Sequence, residues 1–394
     1  MRVLAINSGS SSLKCAVIDP VSERTVFSAL VEELGSTHAR LRVTAPERGE
    51  PQSIPGANHE SALDLVLAEI RGHPEIWSEL GAVGHRVVHG GETFTASARI
   101  TTEVLAAIQA CVPLAPLHNS ANLLGIAAAQ RALPELVHVA VFDTAFHQTL
   151  PEAAYRYAVP RAWYESHGIR RYGFHGTSHR FVAERAAGLL GRPLDELNLI
   201  SAHLGNGCSA AAIRGGVCID TTMGFTPLEG LVMGTRSGDL DPAVIFYLEK
   251  AGVPVAVVER ALNRDSGLLG LSGLSSDMRT LGEQYPQHPG ARLAIDVFCH
   301  RLAKYLGALA TSFERLDAII FTGGIGEHSA LVRRLVTARL AVLGIALDEQ
   351  ANQLHRPIVS VAHSRSVLLV VPTNEELLIA RDTLALVESV HPSP

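Results

Sequence analysis

One structural plan occurs twice along this chain, and this repetition limits the possible folds more than any other feature of the sequence. A polar, glycine-containing turn at residues 7–10 lies between two apolar runs, and a second turn of this kind at 203–207 lies between another two. Nearly continuous apolar runs at 139–142 and 319–321 each end at polar or small residues. Such runs are typical of strands buried on both faces. The pattern predicts two halves, each made of a β-hairpin followed by a βα unit.

Two halves of this kind, placed around a central cleft, form the actin-like ATPase fold, a duplicated α/β fold shared by sugar kinases, Hsp70 and actin. An ordinary doubly wound sheet is the alternative that the same spacing allows. The chain has 394 residues, which is more than one hydrophobic core supports. We therefore predict an N-terminal actin-like domain at 1–150 and a C-terminal actin-like, nucleotide-binding domain at 151–375.

Hydrophobic periodicity and the positions of glycine and proline predict individual elements. Residues 44–60 are polar and rich in proline and glycine, so we expect a surface loop there. A glycine-rich turn is predicted at 322–327, followed by a helix at 328–340. Further helices are predicted at about 61–70, 102–112 and 119–133.

Charge and composition argue against several classes of protein. The formal net charge of −6 disfavours nucleic acid or an anionic membrane as a partner. No apolar run approaches the roughly 20 residues of a membrane span, and the N-terminus lacks the apolar core of a signal peptide. The absence of any C-x-x-C pair favours buried, reduced thiols in a cytoplasmic protein. The five cysteines are Cys15, Cys111, Cys208, Cys218 and Cys299.

The common nucleotide and metal motifs are absent from the sequence. There is no G-x-x-x-x-G-K-[ST] segment and no G-x-G-x-x-G that opens a βαβ unit, so neither a P-loop nor a Rossmann site is supported. His175 and His179 have the spacing of two metal ligands on a helix, but no H-E-x-x-H and no nearby cysteine accompanies them. A zinc site is therefore disfavoured.

Three turns containing glycine, serine or threonine lie at strand ends, at 7–12, 203–207 and 323–327. Backbone N–H groups in such turns can surround phosphate oxygens, and glycine permits close approach. One such turn is usually only a turn, but three beside buried strands favour a nucleotide. Lys14 would reach a phosphate as a point charge, or it is simply an exposed strand lysine.

Two arginines are flanked by small residues at chain turns: Arg86 within 84–91 and Arg236 within 234–239. A guanidinium placed in this way can bind a carboxylate or a phosphate through two hydrogen bonds. For either arginine alone, an ordinary salt bridge to an aspartate or glutamate is an equal alternative.

The sequence INSGSSSLK at 6–14 resembles the N-terminal signature of the acetokinase family of acetate, propionate and butyrate kinases, and YGFHGTSH at 172–179 resembles its second signature. The resemblance spans essentially the whole chain in order. It continues through 84–91, 115–119, 142–147, 203–207, 220–241, 275–279, 322–327 and 372–376. Ser120 stands where the family often has proline, and His328 where it often has asparagine, a change that can alter packing on the adenine side.

This resemblance implies an enzyme that phosphorylates acetate with ATP to give acetyl phosphate by direct in-line transfer, and that also runs in reverse. It implies Mg²⁺, which Mn²⁺ can replace, and ATP or ADP as co-substrate. It further implies a cytoplasmic homodimer, and a last helix, about 376–394, that packs back on the N-terminal domain.

The resemblance also implies roles for individual residues. The catalytic positions are Arg86, Asp143, His175 and Arg236. The substrate contacts are Arg86 and four apolar residues around the methyl group, Val88, Leu117, Phe174 and Pro227. The metal ligands are Asn7 and Glu375, which carry the oxygen atoms that a hard cation requires. The nucleotide contacts are Lys14, His203, Leu204, Gly205, Asn206, Gly207, Asp277, Met278, Arg279, Gly324, Ile325, Gly326, Glu327 and His328.

The chemistry of such a reaction limits what these residues need to do. A carboxylate nucleophile is already ionised at pH 7, so no strong general base is required. We therefore predict that Asp143 orients an arginine, the metal shell or the substrate. Glu375 has a structural alternative, because an acidic residue favours the positive end of a helix. Thr373 and Glu376 have the spacing of a capping box.

Two alternatives remain at the level of sequence. The nearer one is a kinase of the same family that prefers propionate or butyrate. The more distant one is a nucleotide-gated binding or assembly protein with the same fold, because fold alone does not define function. The two arginines, His175 and the apolar residues favour a kinase, since a nucleotide-gated module needs no carboxylate site.

Overall fold

A computed structural model describes residues 1–389, except for the side chain of Leu117. Over these residues the strands are β1 Arg2–Ser8, β2 Ser12–Asp19, β3 Arg24–Glu32, β4 Arg40–Ala45, β5 Gln52–Ser53, β6 Leu80–Val87, β7 Ala98–Arg99, β8 Val137–Phe142, β9 Asn198–Leu204, β10 Cys208–Arg214, β11 Val217–Thr221, β12 Ala318–Thr322 and β13 Val367–Val370.

The helices are α1 His59–Arg71, α2 Pro74–Trp77, α3 Thr102–Ala110, α4 Pro116–Ala132, α5 Glu152–Tyr155, α6 Arg161–His167, α7 Gly176–Leu190, α8 Ala243–Lys250, α9 Val255–Arg264, α10 Gly267–Ser272, α11 Met278–Gln284, α12 Pro289–Ala310, α13 Gly323–His328, α14 Ala330–Arg339, α15 Glu349–Gln353 and α16 Glu375–Glu388. None of the helices in the described range is both long and apolar enough to cross a membrane.

The chain separates into two compact units, each with its own sheet. The first unit consists of residues 1–148 and the C-terminal segment from Asn374 onward, and the second of residues 149–373. The first sheet has the strand order β5-β4-β3-β2-β1-β6-β8-β7, and the second has the order β11-β10-β9-β12-β13.

The centre of the first sheet and the whole second sheet have the same topology. In the first, β1, β2 and β3 are consecutive antiparallel strands, and β6 and β8 extend the sheet parallel to β1. In the second, β9, β10 and β11 are antiparallel, and β12 and β13 extend the sheet parallel to β9. The predicted duplicated α/β fold of the actin-like ATPase class is confirmed.

The last helix, α16, belongs to the first unit and packs on β1, β6 and β8. The packing on β6 is close: a Cβ atom on Gly84 would lie 2.4 Å from Thr383 Oγ1 and 2.6 Å from Ile379 Cγ2. At the other end of the helix, Arg99 Nη2 donates to the carbonyl oxygen of Leu386 at 2.6 Å. Residues 390–394 of the predicted helix lie outside the described residues.

The predicted capping box at the start of α16 is wrong. The N-cap is Asn374, whose Oδ1 accepts the backbone N–H of Leu377 at 3.0 Å. The Glu376 carboxylate instead pairs with Lys14 Nζ at 2.5 Å. The capping-box spacing does not reveal this partner, because Lys14 is remote in sequence.

The predicted turn at 322–327 is also wrong, because β12 leads directly into α13 at Gly323. Three glycines disfavour a helix by about 1 kcal/mol each, which is why the pattern indicates a turn. Two contacts hold the helix. Glu327 Oε1 accepts the N–H of Gly323 at 3.0 Å, and Arg333 Nη1 donates to the carbonyl oxygen of Gly326 at 2.7 Å.

Other predicted bounds need smaller corrections. The predicted loop at 44–60 includes the short strand β5, and α1 begins within it at His59. The predicted helix at 328–340 is α14, which begins at Ala330 after Ser329 caps its first turn. All five cysteines are buried thiols.

Candidate functional site

A cavity of about 500 Å³ lies in the second unit. Its lining residues are Gly205, Asn206, Ser276, Asp277, Met278, Arg279, Gly282, Gly324, Ile325, His328 and Ser329. They come from the turn after β9, the start of α11, and α13 with the residue that follows it. The cavity therefore brings together three segments that were predicted to bind a nucleotide. Sequence reasoning missed Ser276, Gly282 and Ser329, although each lies within three residues of a predicted contact.

Several predicted nucleotide contacts have structural roles instead of lining this cavity. Leu204 is a fully buried core side chain. Gly326 is buried against β12, where an added Cβ would lie 3.2 Å from the carbonyl carbon of Phe321. Glu327 accepts the backbone N–H of both Gly323 and Thr373, at 3.0 and 3.2 Å, so its carboxylate fixes the start of α13.

Arg333, which the sequence did not single out, supports α13 from inside the unit. Its side chain is fully buried, and its hydrogen-bond partners are backbone carbonyl oxygens, the Asn352 side chain and His355 Nδ1. It donates to the carbonyl oxygens of Gly326 and Glu327, and to the Asn352 side chain at 2.8 Å. Burial lowers the pKa of Arg333 to about 10. The positive guanidinium thus stabilises the partial negative charge of the carbonyl groups at the C-terminal end of α13.

Asp277 and Arg279 lie together at the cavity. Asp277 is the N-cap of α11, and its Oδ1 accepts the N–H of Arg279 at 2.7 Å. The two side chains also form an exposed ion pair, with Arg279 Nη2 2.9 Å from Asp277 Oδ2. The hydrogen bonds from Arg279 lower the pKa of the Asp277 carboxyl. Asp277 therefore has a sufficient structural role as a helix cap.

Arg236 and His175 approach each other over Gly207, in the second unit. A Cβ atom on Gly207 would lie 2.5 Å from Arg236 Nη2 and 3.3 Å from His175 Nε2. Only glycine leaves room for both side chains at this point of the turn between β9 and β10.

The Arg236 guanidinium has an unusual environment for a cation. It is half-buried, and Nη1 donates to the carbonyl oxygen of Pro227 at 2.5 Å. Throughout the described residues, no carboxylate lies within ion-pair distance of it. Burial lowers the pKa of Arg236, because desolvation disfavours the charged form. A desolvated cation without a carboxylate partner is a strong attractor for an anion.

His175 is held in a strained backbone conformation at the start of α7. Its φ of 58° lies in the left-handed region, which residues other than glycine seldom adopt. Its ring stacks on that of His203, with centroids 4.4 Å apart, and Nδ1 lies 2.8 Å from Ser209 Oγ. Strain of this kind persists where surrounding contacts enforce it, as they often do at functional sites.

The first unit contains a polar cluster around Arg86, which follows the apolar part of β6. Arg86 Nε lies 2.9 Å from Asp143 Oδ1, and Nη2 lies 2.6 Å from Asp143 Oδ2. Nη1 lies 3.4 Å from Asn7 Oδ1, and Nε lies 3.9 Å from Glu375 Oε2. The cluster therefore unites Asn7, Arg86, Asp143 and Glu375, all four predicted from sequence.

Charge and burial act against each other in this cluster. Burial raises the pKa of the fully buried Asp143 carboxyl, although the charge of Arg86 opposes the shift. Burial also disfavours the charged guanidinium, but the carboxylates of Asp143 and Glu375 outweigh that effect and raise the pKa of Arg86. Arg86 therefore stays charged, and Asp143 fixes it in one orientation through two parallel hydrogen bonds.

Asn7 and Glu375 carry the oxygen atoms predicted to bind a metal. Among the described residues, no group of three or more His, Cys, Asp or Glu side chains could hold a metal ion. Mg²⁺ does not need such a cage, because it keeps several waters and is usually bound by one or two carboxylates together with substrate phosphates. The two side chains, both within 4 Å of the Arg86 guanidinium, fit that mode of binding.

The remaining predicted residues are divided between the units. Val88 and helix α4, which contains Leu117, belong to the first unit, and the side chain of Leu117 lies outside the described part. Phe174 and Pro227 belong to the second, where Phe174 is buried and Pro227 accepts a hydrogen bond from Arg236. Lys14 is half-exposed and paired with Glu376 in the first unit.

The duplicated fold and the nucleotide-sized cavity define the class of this protein as enzymes that transfer a phosphoryl group. The model of the acetokinase family matches residues 2–381. The chain belongs to the acetokinase family.

Named relatives agree with this assignment. The chain is 55% identical over 392 residues to acetate kinase of Deinococcus radiodurans, covering 98% of each chain. It is 52% identical over 391 residues to acetate kinase 1 of Vibrio cholerae, again with 98% of each covered.

Solved structures give the same result. A propionate kinase from Francisella tularensis superposes with a TM-score of 0.94 at 40% identity, covering 98% of this chain and 99% of that one. The acetate kinase of Porphyromonas gingivalis gives a TM-score of 0.92 at 42% identity, with the same coverage. The predicted family and fold are confirmed, while the roles of individual residues remain predictions.

Proposed function

We propose that this enzyme transfers the γ-phosphoryl group of ATP to acetate and forms acetyl phosphate, and that it also catalyses the reverse reaction. The observation that carries the proposal is the Arg236 guanidinium beside His175, which is desolvated and has no carboxylate partner among residues 1–389. Phosphoryl transfer needs positive charge at the equatorial oxygens of the transferred group and little covalent chemistry from the protein. Close relatives named acetate kinase support acetate as the acceptor.

Each cluster has a separate task in this proposal. The cavity of the second unit takes ATP or ADP, with 205–206, 277–279, 324–325 and His328 around it. Arg236 and the Nε2 side of His175 stabilise the negative charge of the transferring phosphoryl group. Arg86 binds the acetate carboxylate or a phosphoryl oxygen. Asp143 orients Arg86, and the two hydrogen bonds between their side chains support this role.

We further propose that Asn7 and Glu375 hold Mg²⁺, which Mn²⁺ can replace. When bound, the ion neutralises phosphate charge and orients the nucleotide. The carboxylate of Glu375 and the amide oxygen of Asn7 would supply two ligands, and phosphate oxygens and water the others.

An assay of ADP release separates the competing functions. The enzyme is mixed with ATP and Mg²⁺ and given acetate, propionate, butyrate or no acid. We expect release that depends on acetate and is fastest with it. Faster turnover with propionate or butyrate would assign a different acceptor within the family. ATP hydrolysis at the same rate with each acid and with no acid would instead indicate a nucleotide-gated binding protein.

Replacing Val88 with alanine should shift the preference from acetate towards propionate. Val88 is buried, and its removal leaves room for one more methylene. Because a methylene is worth about 1–3 kcal/mol in an apolar pocket, the ratio of kcat/KM for propionate to that for acetate should rise about tenfold or more. Val359→Ala, which also truncates a buried valine but lies in the other unit, is the matched control and should leave the ratio unchanged. An unchanged ratio in the Val88 variant would remove this residue from the substrate pocket.

We propose that the enzyme is a homodimer and that α8 and α9 form its interface. These adjoining helices expose large apolar side chains that a monomer would normally bury. The exposed residues are Val244, Phe246, Tyr247, Val255 and Val257 on the helices, and Leu240 just before α8. Phe246 is 59% and Tyr247 is 73% exposed, and aromatic residues are enriched in the centres of protein interfaces. The same face of a second copy of the chain is the simplest partner for these side chains, since most homo-oligomers are twofold symmetric.

Substituting Phe246 with glutamate should convert the dimer to a monomer, because the charge would be buried without a partner. Analytical ultracentrifugation measures the change. Val342→Glu is the control, since Val342 is 89% exposed but lies outside α8 and α9. A dimer that survives Phe246→Glu at micromolar concentration would place the interface elsewhere.

We also propose that the two compact units are the predicted domains, 1–150 with the last helix and 151–375.

Five buried thiols support a cytoplasmic location, because reducing compartments keep cysteines in this form.

A further inference from the structure

Four side chains of the second unit form a continuous chain of hydrogen-bond contacts that ends at His175. Ser201 Oγ lies 2.5 Å from Nδ1 of His179, and Nε2 of His179 lies 2.8 Å from Ser209 Oγ. The same hydroxyl lies 2.8 Å from Nδ1 of His175. Ser201, His179 and Ser209 are fully buried, so the chain runs from the interior of the sheet to the half-buried ring of His175.

The chemistry of the Ser209 hydroxyl limits which atom of each hydrogen-bonded pair in this network carries the proton. A hydroxyl has one proton to donate, and a neutral imidazole has one donor and one acceptor nitrogen. If Ser209 donates to Nδ1 of His175, then His175 carries its own proton on Nε2. His179 then donates from Nε2 to Ser209, and Ser201 donates to Nδ1 of His179. Every buried nitrogen in the chain is satisfied in this arrangement.

The ring of His175 has its Nε2 on the side of Gly207 and Arg236, as the 3.3 Å approach to the Gly207 position indicates. A phosphoryl oxygen has no proton to donate and only accepts hydrogen bonds. A neutral His175 therefore stabilises it only if Nε2 carries the proton. The opposite tautomer would present a lone pair to the oxygen. The arrangement in which Ser209 donates to Nδ1 is therefore the one that the reaction requires.

We propose that Ser209 is a positioning residue, whose hydroxyl is oriented by His179 and holds His175 as the tautomer protonated on Nε2. This inference rests on the proposed function. It adds that the buried serine and histidine, which touch no substrate, determine which nitrogen of His175 carries the proton. The left-handed backbone of His175 and its stacking on His203 fix the position of the ring, and Ser209 fixes its protonation.

Replacing Ser209 with alanine should lower kcat about 5- to 20-fold, because only part of His175 then has its proton on Nε2 and the ring loses one neutral hydrogen bond that orients it. The KM values for ATP and acetate should stay within about twofold, because Ser209 contacts neither. Ser209→Thr, which keeps a hydroxyl, should recover most of the activity. Ser366→Ala is the control: this buried serine of the same unit donates only to the carbonyl oxygen of Leu316, and kcat should not change.

Nitrogen NMR of ¹⁵N-histidine-labelled enzyme tests the tautomer directly, with and without ADP, Mg²⁺ and inorganic phosphate. His175 is assigned by comparison with His175→Asn. We expect the Nε2–H form in the wild type and a mixture of both tautomers in Ser209→Ala. If that variant does not fold, Ser201→Ala, which breaks the chain one step earlier, should give the same mixture.

An Nδ1–H tautomer in the wild type with phosphate bound would overturn the inference. So would an unchanged kcat in Ser209→Ala, or equal losses in the alanine and threonine variants. If the proposed function is wrong, the wild-type enzyme will show no acetate-dependent release of ADP. The NMR measurement then still decides whether Ser209 sets the tautomer of His175.

Discussion

Replacing Arg236 with alanine should lower kcat by about a thousandfold while leaving the protein at least as stable as the wild type. The loss follows from the removal of a positive charge that faces the transferring phosphoryl group, an interaction worth roughly 10³–10⁵ in comparable enzymes. The stability follows from the environment of Arg236. Burial lowers its pKa, and no carboxylate of the described chain compensates its charge, so its removal relieves a desolvation cost.

Steady-state kinetics and thermal unfolding measure the two effects side by side. Arg236→Lys should recover little activity, because an ammonium group cannot donate two parallel hydrogen bonds. Guanidinium ion added to the alanine variant should restore part of the rate. Arg214→Ala is the matched control: it removes an exposed arginine that donates to the Ser312 carbonyl oxygen, and it should leave kcat unchanged. A loss of less than tenfold in Arg236→Ala, or a marked loss of stability, would assign Arg236 a structural role.

Substituting Asp143 should reduce both activity and stability. Asp143→Ala leaves the Arg86 guanidinium buried beside an empty position, and removing one partner of a buried ion pair costs about 3–5 kcal/mol. Asp143→Asn keeps the shape but loses the charge and one of the parallel hydrogen bonds. We expect kcat of the asparagine variant to fall about a hundredfold, with a smaller loss of stability than in the alanine variant. Denaturant unfolding and acetate kinetics measure the two quantities.

Asp317→Asn is the control for this prediction. Asp317 is a largely buried carboxylate in the second unit, with Arg192 at 2.8 Å and Arg315 at 2.9 Å. Its substitution should reduce stability without changing kcat, because it lies away from both clusters. Near-normal turnover in Asp143→Asn would remove Asp143 from the catalytic residues and leave it as a structural partner of Arg86.

The parts of this protein that the sequence predicts are those encoded by neighbouring residues. Alternating apolar strands and glycine-containing turns indicate the duplicated hairpins, because strand period and turn chemistry are local. Arg86 and Arg236 are also predicted from the sequence, since small neighbouring residues indicate that an arginine side chain projects from a turn. The resemblance then supplies Asp143 and Glu375, whose importance no local pattern reveals.

The main error and the main omission involve contacts that lie outside the local sequence patterns. Helix α13 was predicted as a turn because Arg333, which secures its end, is outside the local glycine pattern. The chain from Ser201 to His175 was missed because its members come from β9, β10 and α7. Isolated serines and histidines are too common to indicate such a network. The pairing of β9 with β10 and the packing of α7 on β9 bring these residues together.

The membership of α16 in the first unit affects how the protein is made. During synthesis, the first 148 residues emerge with the sheet face of β1, β6 and β8 still uncovered, because the helix that covers it follows the second unit in the sequence. The second unit, residues 149–373, leaves the ribosome complete before that helix appears. The N-terminal unit is therefore begun first and finished last. The proposed ligand Glu375 joins Arg86 and Asn7 only after the second unit has been synthesised, so the proposed metal site is also completed only then.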